Sequence, residues 1–106
     1  MRKAKVWMAE QLAGWLSETD EGYVFQYEPD YLAGAQAKPV SLTLPLTATP
    51  YQSGVMFAFF DGLIPEGWLL QVAQKNWKLN ARDRMGLLMV CCKDCIGAVS
   101  IEGVES

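Results

Sequence analysis

The chain has 106 residues, 51% of them hydrophobic and 20% charged, with a net charge of −3 and no histidine. That is room for one domain with one core, and the composition is far from that of a disordered segment. The acidic balance argues against direct nucleic-acid binding, which normally shows a basic footprint. Polar residues interrupt every apolar run before it reaches membrane-spanning length, and no apolar signal core follows Met1-Arg2-Lys3, so the expectation is a cytoplasmic protein that does not bind membranes. So high an apolar fraction in so small a chain is compatible with a well-filled core or with apolar surface that meets a partner.

Residues 4–9 (AKVWMA) and 11–17 (QLAGWLS) read as two strands joined by a tight turn near Glu10-Gln11. Thr19-Asp20-Glu21-Gly22 is a turn, with glycine placed to take positive φ. Residues 23–27 (YVFQY) are aromatic and β-branched, the clearest strand in the chain. Together these predict an antiparallel meander. Pro29 at a first helical position starts a single turn, and residues 33–38 run as a loop. In residues 39–46, Val40, Leu42, Leu44 and Leu46 alternate with polar or proline positions, which predicts a half-buried strand. Pro39 and Pro45 confine it to an edge, because neither donates to a ladder. Residues 47–53 read as a loop.

The stretch from Ser53 to Leu79 supplies most of the expected core. Val55, Met56, Phe59, Phe60 and Leu63 keep a helical rhythm, and so do Leu69, Val72, Ala73 and Trp77. Between them stands Leu63-Ile64-Pro65-Glu66-Gly67. Proline cannot continue an interior helix but fits the first turn of a new one, and a carboxylate suits that turn electrostatically. The pattern predicts a helix, a corner and a second helix. Asn80 can cap a third helix, whose apolar face is Met85, Leu88, Met89 and Cys92. Lys93-Asp94 is a turn. Residues 96–101 form a last strand that returns to the sheet, and residues 102–106 fray. The expected architecture is α+β, a single domain with a small antiparallel sheet and about three short helices packed against it.

Little here can run a reaction. Without histidine there is no Ser/His or Cys/His couple. The glycines are scattered singly, so neither phosphate-binding glycine motif is present, and the kinase signature set is missing. Cys92-Lys93-Asp94-Cys95 has redox spacing but follows a helix end, the wrong electrostatic side for lowering a thiol pKa. A zinc site wants four ligands, and Cys91 beside Cys92 does not complete a set. The cysteines read as small buried apolar residues. Asp61 and Glu66 flank the Pro65 corner and read as capping and solvated carboxylates. No enzyme activity, cofactor or metal is expected. Trp7 and Trp15 lie on strands as sheet packing, and Trp77 closes its helix face. Trp68, just after Gly67 at a helix start, either folds back over the core or anchors a partner.

The order of these segments resembles the N-terminal subdomain of the HipA family of bacterial serine/threonine kinase toxins. The matching words are YVFQYEPDYL at 23–32, PVSLTLPL at 39–46, FFDGLIPEG at 59–67 and DCIGAV at 94–99. In that family the subdomain opens a longer chain and packs on the kinase N-lobe near the ATP-binding region, with the catalytic residues further on. This sequence stops where the kinase core would begin, so the resemblance implies a free-standing copy, similar to the HipS proteins of three-part HipBST-type toxin–antitoxin systems. It then implies an antitoxin that binds a HipT-like kinase in trans and holds it inactive, with a HipB-like DNA-binding protein in a possible ternary complex. A detached cap that supports its kinase is the other reading. The contact residues expected are Asp61, Ile64, Pro65, Glu66, Gly67 and Trp68.

Overall fold

In a computed structural model, the chain is described over residues 2–35, 37–64, 83–91 and 99–104. Its centre is one antiparallel sheet in the order β4-β3-β2-β1-β5. The strands are β1 (Lys3–Met8), β2 (Gln11–Thr19), β3 (Gly22–Tyr27), β4 (Tyr51–Ser53) and β5 (Val99–Val104). Among the described residues three short helices, α1 (Pro29–Leu32), α2 (Ala58–Asp61) and α3 (Arg84–Cys91), accompany the sheet, giving the expected α+β fold.

Alternation builds the sheet's two faces. Ala4, Val6, Leu16, Phe25, Tyr27, Val99 and Ile101 are buried, and they join Phe60, Ile64, Met85, Leu87 and Leu88 from the helical segments in one core. The Phe60 ring lies 5.3 Å from that of Phe25. Trp7 and Trp15 take the opposite face with the lysines. Lys3 Nζ sits 4.6 Å from the Trp15 ring centroid, and Trp15 Nε1 donates to Glu28 Oε2 at 2.8 Å. These tryptophans therefore pack against the sheet from outside the core.

The meander forms as expected, with two details the pattern did not carry. The first turn is Ala9-Glu10, between the paired Met8 and Gln11, and Ala9 holds a φ of 54° that glycine would normally supply. The register also shifts between Val6 and Trp7, leaving Ala13 as an extra residue on β2. The Ala13 carbonyl accepts from Glu28 N–H at 2.8 Å, which ties the start of α1 to the sheet. Gly22, with φ 141°, does take the turn conformation foreseen for it. A Cβ there would strike the Ser53 carbonyl.

Three expectations are corrected. Residues 39–46 are not a strand. Only an isolated bridge joins Ser41 and Leu44; Val40 and Leu44 are buried while Leu42 is 95% exposed. Prolines at both ends deny the segment a ladder, so three phenols serve its backbone instead. Tyr27 OH donates to the Leu44 carbonyl and accepts from Val40 N–H at 3.0 Å. Tyr31 OH donates to Lys38 O at 2.6 Å, and Tyr51 OH to Pro45 O at 2.6 Å. The edge strand falls at Tyr51–Ser53, where a loop was expected, pairing with Tyr23, Val24 and Phe25. Second, the helix expected from the rhythm of Val55 to Leu63 is only Ala58–Asp61. Ser53 belongs to the sheet, and Val55 stands 73% exposed outside the helix. Third, residues 102–104 do not fray: Val104 pairs with Lys3 and Glu102 with Lys5. Residues 96–98 of the expected strand, and the second helix with Trp77, lie outside the described residues.

Candidate partner-binding site

The predicted corner begins at the end of α2. Gly62 N–H reaches the Ala58 carbonyl at 3.0 Å, then Leu63 and Ile64 bond to Phe60 and Asp61 at 3.0 and 3.2 Å. The helix thus tightens into i→i+3 bonds as it ends. Ile64 is buried in the core at 6% exposure and so fixes the direction in which the chain leaves. Asp61 faces α3. Its Oδ1 lies 3.1 Å from Arg84 Nε. That oxygen is shut off from solvent and makes no well-angled hydrogen bond, so the link is chiefly one of charge. Pro65, Glu66, Gly67 and Trp68 lie outside the described residues.

A second charged link fixes α3 against the sheet. Arg2 donates to both oxygens of Asp83, at 2.8 and 2.6 Å, and to both of Glu18, at 3.0 and 2.7 Å. Asp83 also caps α3: its Oδ1 accepts from Gly86 N–H at 3.2 Å, and its carbonyl from Leu87 N–H at 3.0 Å. The helix as described begins at Arg84 and is capped by Asp83; Asn80, the cap expected from the sequence, lies outside the described residues. Gly86 leaves the space the ion pair needs, since a Cβ there would press on Asp83 and Arg2 Nη1. No local signal joins Arg2 to residues 16 and 81 positions away, or Asp61 to Arg84. Only the folded chain reveals these pairs.

The Arg2 hydrogen bonds hold both the Glu18 and the Asp83 carboxyl below the usual carboxylate range. Lowered folded-state values mean that the cluster stabilises the fold at neutral pH and that this contribution is lost as acid carries the pH down through those values. Asp83→Ala should cost about 1 kcal/mol from the cap, with a smaller share from an ion pair this exposed. Asp83→Asn should keep most of the cap. Urea unfolding of both variants at pH 7 and pH 3 checks this: the loss on acidification should be smaller in each than in the parent. Equal acid sensitivity would remove Asp83 from the pH response.

Among the described residues no cluster of acidic, cysteine or histidine side chains could hold a metal ion. The Cys92–Cys95 pair lies outside them. No helix among them is long and apolar enough to cross a membrane.

With this geometry in hand, known proteins are informative. The sequence profile of the HipA N-terminal domain matches residues 4–102. The chain belongs to the HipA N-terminal domain family. An uncharacterised Haemophilus influenzae protein is 32% identical over 102 residues, which span 96% of this chain and 92% of that protein. A solved structure described as the N-terminal domain of HipA toxin superposes with a TM-score of 0.79 at 29% identity, covering all of this chain and 95% of the other. The sheet and helices described above are therefore those of a HipA N-terminal domain, as the four sequence words implied.

Proposed function

We propose that this HipA N-terminal domain protein is an antitoxin that binds a HipT-like serine/threonine kinase in trans and neutralises it by packing on the kinase N-lobe near the ATP-binding region. The observation that carries the reading is the family match across nearly the whole sequence, residues 4–102, in a chain without kinase motifs. The H. influenzae relative, matched over 92% of its own length, supports a protein of this size acting as a separate molecule. Asp61 and Ile64 stand where the corner begins, and the contact proposed with the nucleotide loop is made by Pro65, Glu66, Gly67 and Trp68. Phosphoryl transfer depends on close placement of the phosphates, so a wedged indole blocks it without chemistry. A HipB-like DNA-binding protein would join through the kinase.

Co-expression with the kinase tests this. The intact protein should rescue growth, and Trp68→Ala should lose most of the rescue while keeping the parent's melting temperature. Full rescue by a folded Trp68→Ala variant would remove that side chain from the mechanism. The alternative, a detached cap that supports its kinase, draws on the neighbour being a domain of a toxin itself. Under it, kinase activity and toxicity should rise when this protein is added.

A further inference from the structure

Not one charged residue lies between Lys38 and Asp61. In a chain that is 20% charged, so long an uncharged stretch would ordinarily be core, yet much of this one is surface. Leu42, Leu46 and Val55, the exposed large aliphatic residues among those described, all belong to it, at 95%, 37% and 73% exposure. They flank one edge of the sheet. Val55 follows directly on β4 after Gly54, and the loop bearing Leu42 and Leu46 is bound to β4 by the Tyr51–Pro45 hydrogen bond. β4 is the outermost strand on that side.

The loop is held rigidly. Ser41 O accepts from Leu44 N–H at 3.1 Å, and Ser41 Oγ from Thr43 N–H at 3.2 Å, so Leu42 sits at the tip of a closed turn. Tyr27 grips both shoulders of that turn through Val40 and Leu44. A leucine held outward on a pre-shaped turn loses little freedom when it enters a pocket, which favours binding. Removal of charge from an exposed belt is the compositional mark of an interface centre. From the belt we infer that the β4 edge, with Leu42 at its apex and Val55 at its far end, is the surface that docks on the kinase, its occupant being an uncharged apolar hollow on the kinase N-lobe. This rests on the function proposed above and adds a contact surface distinct from the Pro65–Trp68 corner. A second copy of this chain suits the belt less well. The belt projects a knob, and the cleft beside it, where Tyr23 and Val24 are joined by the more polar Thr19, Glu21, Gln52 and Ser53, is chiefly polar and no apolar hollow to receive one.

The test uses the complex of the full chain with its kinase. Leu42→Glu with Val55→Glu should weaken binding by about 10- to 100-fold in calorimetry, the range for burying then charging two aliphatic anchors. The melting temperature should be unchanged, because both side chains are exposed in the free protein. Gln26→Glu, on the sheet face away from the core, should bind as the parent does. Parent-like binding by the double variant would overturn the belt while leaving the antitoxin reading intact. No binding by the parent would overturn both. Self-association of the parent that the double variant abolishes would assign the belt to a second copy and overturn the inference.

Discussion

Phe60→Ala should destabilise the protein by about 3–5 kcal/mol, the usual cost of deleting a fully buried phenyl ring. A domain of this size holds only about 5–15 kcal/mol in total, so the variant should melt more than about 10 °C below the parent. The size of the effect follows from position. Phe60 is the buried residue of a single-turn helix, and its ring meets Phe25, Phe59 and Phe57 at 5.3, 5.2 and 6.1 Å between centroids. So short a helix has almost no stability of its own; packing of this ring against β3 is what holds it. Removing the ring also frees the corner at Ile64. Val55→Ala, five residues earlier but 73% exposed, should change stability by no more than about 0.5 kcal/mol. Thermal melts of both variants decide the matter: a Phe60→Ala loss under about 1 kcal/mol would place the organising core elsewhere.

Tyr27→Phe removes a single oxygen and should still cost about 2–4 kcal/mol, because it strands two buried backbone groups, Val40 N–H and the Leu44 carbonyl. The ring itself is 1% exposed and remains in the variant, so packing is preserved and the loss isolates the hydroxyl. Burial pushes the Tyr27 hydroxyl above the ordinary tyrosine range. A raised folded-state value means its contribution is whole below the unfolded value, near pH 10, and is lost as pH rises through the folded one. Urea midpoints at pH 8 and pH 10.5 should therefore converge for parent and variant as the solution becomes alkaline. A gap that stays constant would show that the hydroxyl is not what anchors the loop. Because Tyr27 shapes the turn bearing Leu42, the same variant should also weaken the kinase docking proposed above.

What the sequence discloses here follows the range of the interactions involved. Residues 23–27 are legible as a strand because β-branched and aromatic side chains speak locally, and Pro29 and Gly22 are legible because their backbone limits are their own. Residues 39–46 mislead, since an alternating pattern reports which side chains could share a face but not whether a neighbouring strand exists to accept the backbone. The phenols that take that strand's place come from residues 27, 31 and 51, and nothing near Val40 announces them. Val55 misleads similarly: it keeps helical spacing with Met56 and Phe59, but β4 claims the backbone through Ser53 and the helix starts only after Phe57. Within the candidate site, Asp61 was recognisable as a charged residue beside a corner, whereas its pairing with Arg84 depends on α2 and α3 meeting in space. Family resemblance was legible earlier than any of this, because it draws on word order along the whole chain.

The pairing of β1 with β5 has a consequence for how the protein is made. Every residue of β1 from Lys3 to Met8 has a partner in the segment from Val104 back to Val99, so one flank of a central strand stays bare until those residues leave the ribosome. Contacts this distant in sequence close slowly, and an unpaired strand is an invitation to cross-pair with other chains in the meantime. Production at low temperature or with a chaperone that shields nascent strands should raise the soluble yield, and trimming the last few strand residues should lower it far more than their modest burial alone would suggest.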